Sequence, residues 1–319
     1  MQKMTHKLTR ELEIFYNENH DACTSCSKDF IDRDTAHLGY IHERTPALFC
    51  DNCSHQLIET VVRYSWIKRE YEIPKQNDML WRYMDLSKFI SLLGKRELFF
   101  SAAIHFSDPF EGAKGAESRK EDWDAYYKEF FINAIKTAPR EKPSQLTEED
   151  VARESMRLLG ELHDGGKIAR ERTFINCWHM NTYESEAMWK LYSKDITNAI
   201  AIQTTYQRLY NALDKEPKIA IGKVQYINFL ERYSSVNGAF WFKRLAFEYE
   251  KEVRLIAHDH TNMGKPGLSF PVDIDVLIEN IYVSPYAPSW FYDVIKDVLE
   301  KYCVKKSVLK SQMKITPFY

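Results

Sequence analysis

The sequence predicts an α+β fold, with a mixed, mostly antiparallel sheet, flanking helices and a helical insertion, preceded by a small zinc-ribbon-like module. Three observations support this prediction. Two Cys-x-x-Cys pairs lie near the N-terminus, strand-like and helix-like segments follow without strict alternation, and a charged segment interrupts them. Strict alternation would instead predict a parallel doubly wound sheet. The length of 319 residues suits one small unit, at 1–74, and one large domain, at 75–319.

The N-terminal unit is organised around Cys23, Cys26, Cys50 and Cys53. Zn²⁺ favours four soft ligands in a tetrahedron, and each Cys-x-x-Cys turn can offer two thiolates. Four cysteines close the coordination shell, and a catalytic zinc keeps one position open. The pattern therefore predicts a structural zinc. The nearby histidines leave one alternative open, since any of three could replace a cysteine: His37, His42 or His55.

Three local predictions describe the rest of this unit. A short helix is predicted over Thr9–His20, ahead of the first cysteine pair. Residues 37–49 read as a hairpin-like connection between the two pairs. A second helix is predicted from Cys53 to about Trp66, and the segment after Pro74 reads as the linker.

The large domain opens with a β-α-β pattern. Leu80–Met84 is strand-like, and Asp85 is a favourable N-cap residue for the helix that follows. Apolar residues then recur at helical spacing up to Gly94, which is predicted to end the helix. Leu98–Phe100 is predicted as the second strand.

Residues 113–170 are highly charged and are interrupted by proline and glycine. They predict two or three peripheral helices inserted into the main fold, and Thr147 with the acids after it resembles a helix-start box. A solvated insertion and a lid over an active site are the two interpretations.

Strands and helices then continue to the C-terminus. The predicted strands are Thr173–His179, Ala199–Gln203, Lys218–Ile227, Val253–Ala257 and Ile278–Val283. The predicted helices are Glu184–Ser193, Thr205–Leu213, Ala239–Phe247 and Trp290–Tyr302.

Composition narrows the class of protein. The formal net charge is −2, from 44 basic and 46 acidic residues, so no overall field favours nucleic acid or an anionic membrane. No apolar stretch approaches the roughly 18 residues of a spanning helix, and the N-terminus shows no secretory signal. We therefore expect no membrane partner and a cytoplasmic location, where thiols stay reduced. The oligomeric state is left open.

Nucleotide-binding glycine loops and hydrolase or protease motifs are absent from the sequence. The candidate chemistry lies in scattered polar residues at strand ends. Asp108 and Glu111 flank a proline in one loop, and His179 ends a strand that Glu186 follows. The run from Glu248 to Arg254 would stack like charges if extended, so neighbouring cations should compensate them.

These segments resemble an uncharacterised bacterial family called domain of unknown function 2971. The matching pieces span about residues 80–319 in order, and the zinc module is an addition outside them. They are Trp81-Arg82-Tyr83, the Phe106–Gly112 loop, Cys177-Trp178-His179, residues 184–192, Ile200–Thr205, Lys243-Arg244, residues 250–254 and Ile281–Pro285. The resemblance implies no activity, although such genes occur around mobile elements and phage defence.

A second resemblance is to ADP-ribosyltransferases, and it implies that NAD is a co-substrate. Arg82 would hold the pyrophosphate or ribose, and Tyr83, Trp189 or Tyr192 would stack on nicotinamide. Glu252, or Glu250, would bond the ribose and stabilise the positive charge that builds as nicotinamide leaves. The chain departs from that family in lacking a clear Ser-Thr-Ser segment.

The sequence thus predicts catalytic residues Arg82, His179, Glu250 and Glu252. It predicts substrate-binding residues Tyr83, Phe106, Asp108, Glu111, Glu186, Trp189, Tyr192 and Arg254. The favoured function is an ADP-ribosyltransferase-like effector that modifies nucleic acid or protein, as a toxin or in phage defence. One alternative is a non-enzymatic sensor or adaptor that binds nucleic acid or a small ligand. The other is a metal-dependent nuclease with Asp108, Glu111, His179 and Glu186 as ligands.

Overall fold

The structure is a computed structural model and describes residues 21–42, 45–65, 71–137, 147–213 and 219–319. The helix expected at Thr9–His20 lies outside these residues. The described chain forms a three-stranded sheet, a two-stranded sheet and a nine-stranded sheet, in which antiparallel pairs predominate. With helices flanking the largest sheet, this confirms the predicted α+β fold. None of the described helices is long and apolar enough to cross a membrane.

The small sheet contains β1 (Thr35–Ile41), β2 (Thr45–Cys50) and β3 (Glu59–Ser65), in the order β2-β1-β3. The predicted hairpin is confirmed, because β1 and β2 pair in antiparallel register. The predicted helix after Cys53 is wrong. A 3₁₀ segment at Asp51–Gln56 leads into β3, which carries β-branched residues that favour a strand.

The predicted large domain begins with β4 (Met79–Asp85), α1 (Leu86–Lys95) and β5 (Glu97–Ala102), which confirms the predicted β-α-β order. Gly94 does not end the helix. Arg96 takes the left-handed conformation instead, at φ 53°, and its N–H bonds to the carbonyl of Leu92. Asp85 stands at the N-cap, but its carboxylate accepts from the backbone N–H of Lys194 rather than capping the helix.

The charged segment forms two long helices, α2 (Lys120–Thr137) and α3 (Glu148–Arg172), which pack against each other. The predicted helix start at Thr147 is confirmed. Its hydroxyl accepts from the N–H of Asp150, and the Asp150 carboxylate accepts from the N–H of Thr147.

The remaining elements follow in order. They are β6 (Thr173–Met180), α4 (Glu186–Leu191), β7 (Ala199–Thr205), α5 (Tyr206–Ala212), β8 (Ile219–Lys223), β9 (Gln225–Ile227), β10 (Phe242–Arg244), β11 (Glu252–His258), β12 (Gly267–Pro271), α6 (Ile274–Leu277), β13 (Asn280–Val283), α7 (Phe291–Lys301) and β14 (Ser307–Lys310). The helix predicted at Ala239–Phe247 is wrong, because 3₁₀ turns flank β10 there. Phe240, Trp241 and Phe242 are all buried, which a helix with one apolar face would not allow.

The position of β6 determines where the large sheet opens. Along one edge, β6 pairs with β11 over its whole length up to His179. Along the other edge, β5 pairs with Phe174 and Ile175, whereas β4 pairs only with His179 and Met180. Residues 176–178 therefore face a split between β4 and β5.

Candidate active site

A cavity of ≈ 570 Å³ opens at this split, within the range of about 300–1,000 Å³ that is typical of ligand pockets. Seven of the predicted site residues line it: Arg82, Tyr83, Phe106, His179, Tyr192, Glu250 and Glu252. Cys177 and Trp178 of β6 line it as well, and α1 contributes Lys88 and Lys95. The four residues predicted to be catalytic thus share one cavity, and their roles stay predictions.

Strand register brings the acidic residues to the cavity. Glu252 lies opposite His179 and Arg254 lies opposite Cys177, so the four side chains share one face of the sheet. Glu250 does not belong to the strand, because Lys251 takes a left-handed conformation at φ 40°. The turn directs both carboxylates to Lys243, whose Nζ lies 3.2 Å from Glu252 Oε2 and also pairs with Glu250.

A buried ion-pair network lies behind the part of the cavity that Glu252 lines. Arg254 donates from Nε to Glu252 Oε1 at 2.9 Å, and its two terminal nitrogens bind the Glu111 carboxylate at 2.5 and 2.9 Å. Its side chain is fully buried and that of Glu111 is 1% exposed. Glu111 and Arg254, both predicted to bind substrate, therefore lie behind the cavity rather than among its lining residues.

The network keeps Glu252 charged despite its burial. Burial acts to raise the pKa of Glu252, but the charges of Arg254 and Lys243 outweigh it and lower the pKa to about 2. Burial raises the pKa of Glu250 above its ordinary value, against the opposing effect of Lys243. The cavity therefore holds an ionised Glu252 at neutral pH.

His179 presents a neutral nitrogen. Its Nδ1 donates to the main-chain carbonyl of Glu250 at 2.6 Å, which fixes the proton on that side of the ring. Burial lowers the pKa of His179 below its ordinary value. Nε2 is buried and has no hydrogen-bond partner among the described residues, so its lone pair is unused by this part of the chain.

Arg82 supplies a cation on the other side of β6. Its Nη1 donates to Asn176 Oδ1 and to the Cys177 carbonyl, each at 2.7 Å, and its guanidinium lies 5.7 Å from the centre of the Trp178 ring. Among the described residues, no carboxylate forms an ion pair with Arg82. Burial lowers its pKa, yet a guanidinium remains protonated in proteins.

Aromatic side chains form a third part of the wall. The Tyr83 hydroxyl accepts from the N–H of Ser185 at 2.8 Å, and Trp189 packs edge-on against the Tyr83 ring. Trp189 is fully buried behind Tyr83 and does not line the cavity, whereas Tyr192 lines it and is 41% exposed. Burial raises the pKa of both tyrosines.

Two predicted residues lie elsewhere. Asp108 forms an ion pair with Arg244 at 2.8 Å. Glu186 pairs with Lys190 at 2.7 Å and accepts from the Tyr286 hydroxyl. Asp108, Glu111, His179 and Glu186 therefore do not form a metal site in the described chain.

Several lining or supporting residues were missed by the sequence reasoning. They are Asn176, Lys88 and Lys95, whereas Lys243 is one of the neighbouring cations that the sequence predicted. Asn176 could have been noticed, because an uncharged polar residue inside an apolar strand must find partners there. The two lysines of α1 show no such signal, since exposed lysines on a helix are ordinary.

The four cysteines of the small module form a separate group. Their sulfur atoms all lie within 4.8 Å of one another, and in the described chain this is the only such group of possible metal ligands. His37 hydrogen-bonds to Asp51 at 2.9 Å instead of joining them. Four converging thiols fit one metal ion, and this donor set suits Zn²⁺.

Comparisons with known proteins give few relatives. No protein-family model matches this chain, so membership of the first family it resembles stays a prediction. None of the curated proteins matches it in sequence. Among solved structures, the chain is similar to Thermus sp. 2.9 DarT in complex with NAD⁺, at 8% identity and a TM-score of 0.34, over 75% of this chain and 98% of that one. The same protein in complex with ADP-ribosylated ssDNA gives 11% identity and a TM-score of 0.33, over 77% and 98%. At these values, neither an activity nor a residue role transfers to this chain.

Proposed function

We propose that this protein is an NAD-consuming ADP-ribosyltransferase-like enzyme that modifies nucleic acid or protein. One observation carries the proposal: a single cavity combines the ionised, buried Glu252 with an Arg82 that has no carboxylate partner among the described residues. NAD has the matching polarity, with a cationic nicotinamide at one end and an anionic diphosphate in the middle.

Glu252 is the residue that we expect to lower the barrier. When the bond between ribose and nicotinamide breaks, its electron pair leaves with nicotinamide, and positive charge builds on the ribose. A fixed carboxylate in a dry cavity stabilises that charge more than water does. Glu252 needs no protonation change to act, because its pKa of about 2 keeps it ionised.

His179 is the candidate base for the second half of the reaction. The acceptor forms a new bond to the ribose carbon and must lose a proton. The Nε2 lone pair of the neutral His179, which no described residue uses, is suited to take that proton. Tyr192, which is exposed and lines the cavity, is the candidate stacking partner for the nicotinamide ring.

The proposal extends to the setting of the activity. An enzyme that consumes NAD needs the cytoplasmic NAD pool, and its uncontrolled action would be toxic, which fits an effector in phage defence. We further propose that the four cysteines hold a structural zinc ion, because their closed donor set leaves no position for substrate.

The test is release of nicotinamide from NAD by the purified protein, with and without DNA, RNA and cell lysate. Glu252→Gln should reduce turnover at least about 100-fold, as expected for loss of a charge that stabilises the transition state. Glu248→Gln is the matched control, because Glu248 is an exposed acid of the same turn and should leave turnover unchanged. Equal turnover by wild type and Glu252→Gln would contradict the proposal.

A binding protein without turnover is the second candidate, and one observation favours it. Both oxygens of Glu252 already have cationic partners, Arg254 and Lys243, which lessens the charge it can offer a ligand. Titration of the protein with NAD separates the two functions. Saturable binding without nicotinamide release under any condition would support a sensor.

A further inference from the structure

We infer that Asn176 is a positioning residue that holds Arg82 at the cavity while leaving the guanidinium charge free for an anionic ligand, a diphosphate. This inference rests on the proposed function and assigns the part of the site that recognises the phosphates of NAD. Asn176 does not touch the reacting atoms, so its effect acts through Arg82.

The carboxamide of Asn176 bridges the split in the large sheet. Its Oδ1 accepts from Arg82 Nη1 at 2.7 Å and from Trp178 Nε1 at 2.8 Å, whereas its Nδ2 donates to the Phe99 carbonyl at 2.8 Å. Two donors on one side and an acceptor on the other define the orientation of the amide. The side chain is buried, with 1% exposed, and ties β4 to β5 across β6 where those strands separate.

Within the described part of the chain, the immediate partners of Arg82 are all neutral. They are the amide oxygen of Asn176, the main-chain carbonyl of Cys177 and the ring of Trp178. Burial raises the pKa of the Cys177 thiol far above neutral pH, so it also stays uncharged. The positive charge of Arg82 is therefore oriented but is not compensated by any residue that the structure describes.

An aspartate would make the same two acceptor contacts but would cancel the charge. The neutral amide is consequently the feature that makes this an anion site rather than an internal ion pair. Lys88 and Lys95 of α1 line the same cavity and add positive charge.

The experiment compares wild type with Asn176→Asp by isothermal titration calorimetry, using inorganic pyrophosphate, ADP-ribose and nicotinamide riboside. Pyrophosphate and ADP-ribose affinity should fall roughly 10- to 100-fold, the value of a lost charge-assisted contact. Nicotinamide riboside is a cation without phosphate, and its affinity should stay equal or rise. A merely structural role would weaken all three ligands alike, and that result would overturn the inference.

Two further variants keep the test decisive. Arg82→Gln removes the charge itself, and the neutral change Asn176→Ser added to it should cause no further loss of pyrophosphate affinity, because the two changes act through one group. If Asn176→Asp does not fold by circular dichroism, Asn176→Ser replaces it, with a smaller but still phosphate-selective loss expected. Unchanged phosphate affinity in the folded variant contradicts the role of Asn176.

The outcomes also separate this inference from the proposed function. Wild type that binds pyrophosphate through Arg82 and Asn176 but neither binds nor consumes NAD contradicts the transferase and leaves the anion site intact. If wild type and Asn176→Asp consume NAD at the same rate and with the same KM, the proposed transferase function stands. The inferred anion site is then contradicted.

Discussion

Arg254 is the residue on which the charge pattern of the cavity depends. It is fully buried, and it binds Glu111 with both terminal nitrogens and Glu252 with Nε. Removing one partner of such a group leaves the others charged and unsolvated, which costs far more than an exposed pair does.

Arg254→Met should therefore lower the free energy of unfolding by about 3–5 kcal/mol, the usual cost of breaking a buried ion pair. Urea denaturation followed by fluorescence measures this change. Arg157→Met is the matched control, because Arg157 pairs with Glu154 and Glu161 on the surface of α3 and its loss should change stability little. Equal destabilisation by both changes would show that the buried network is not a source of stability.

His179 gives a pH dependence with a definite sign. Burial lowers its pKa in the folded chain. As the pH falls through about 6.5, His179 therefore binds a proton in the unfolded chain but not yet in the folded chain. Stability should then fall as the pH drops below about 6.5, because the unfolded state binds more protons. The Tm of His179→Gln should change less between pH 8 and pH 5.5 than that of wild type.

His258, whose pKa burial also lowers, keeps part of the slope in that variant. Exposed His105→Gln serves as the control for the loss of a histidine as such. A wild-type slope in His179→Gln would mean that the pKa of His179 does not differ between the folded and the unfolded chain.

How far the sequence predicted the site differs from residue to residue. The charges from Glu248 to Arg254 indicated that neighbouring cations must compensate the acids, and Lys243 and Arg254 do so. The sequence could not separate Arg254 from a ligand-binding arginine. That difference depends on Glu111, which is 143 positions away and meets Arg254 only in the folded chain.

At the scale of elements, the backbones of β1 and β3 approach each other so closely at Gly39 that only glycine fits there. A Cβ on Gly39 would lie 2.0 Å from the main-chain oxygen of Glu59, at the point where the register between β1 and β3 shifts. Gly39→Ala should separate the two strands and lower the stability of the small module by roughly 1–3 kcal/mol. Hydrogen exchange of the β3 amides measures the effect.

Gly160→Ala is the control with the opposite sign. Gly160 lies inside α3, and a Cβ there would meet no atom within 4 Å. Alanine should therefore stabilise the helix by about 0.5–1 kcal/mol. Unchanged protection of the β3 amides from hydrogen exchange in Gly39→Ala would contradict this prediction. It would mean that β1 and β3 can accommodate the added methyl group without separating.

Local pattern predicted most elements of the large sheet but not how they end. The sequence predicts that α1 ends at Gly94. The helix instead continues to Lys95, and Arg96 adopts the left-handed conformation. The segment Ala239–Phe247 has helical spacing, but its aromatic residues fill a cluster with Ile175 and Ile256. Tertiary packing thus overrides the local preference at both places.

At the scale of the whole molecule, we expect the cysteine cluster to stabilise the small module independently of the large domain. A structural zinc contributes directly to folding in modules with a small core. Chelation, or Cys53→Ser, should therefore unfold residues 21–65 and leave the exchange protection of β6 and β11 unchanged. Metal analysis should find about one zinc per chain in wild type.

Exchange measured by mass spectrometry on the metal-loaded and chelated protein tests this expectation. Exposed Cys303→Ser is the control for loss of a thiol as such, and should leave the metal content unchanged. Loss of protection throughout the large sheet on chelation would mean that the two units fold as one.

The split beside β6 also determines which changes the site can tolerate. One of the two hydrogen-bond acceptors that hold Arg82 is the main-chain oxygen of Cys177, and no side-chain substitution can delete it. Lys88, Lys95 and Phe99, by contrast, are exposed side chains on the cavity wall. Substitutions at these exposed positions can therefore change ligand preference during evolution. The Cys177 carbonyl would still accept a hydrogen bond from Arg82, because it belongs to the backbone.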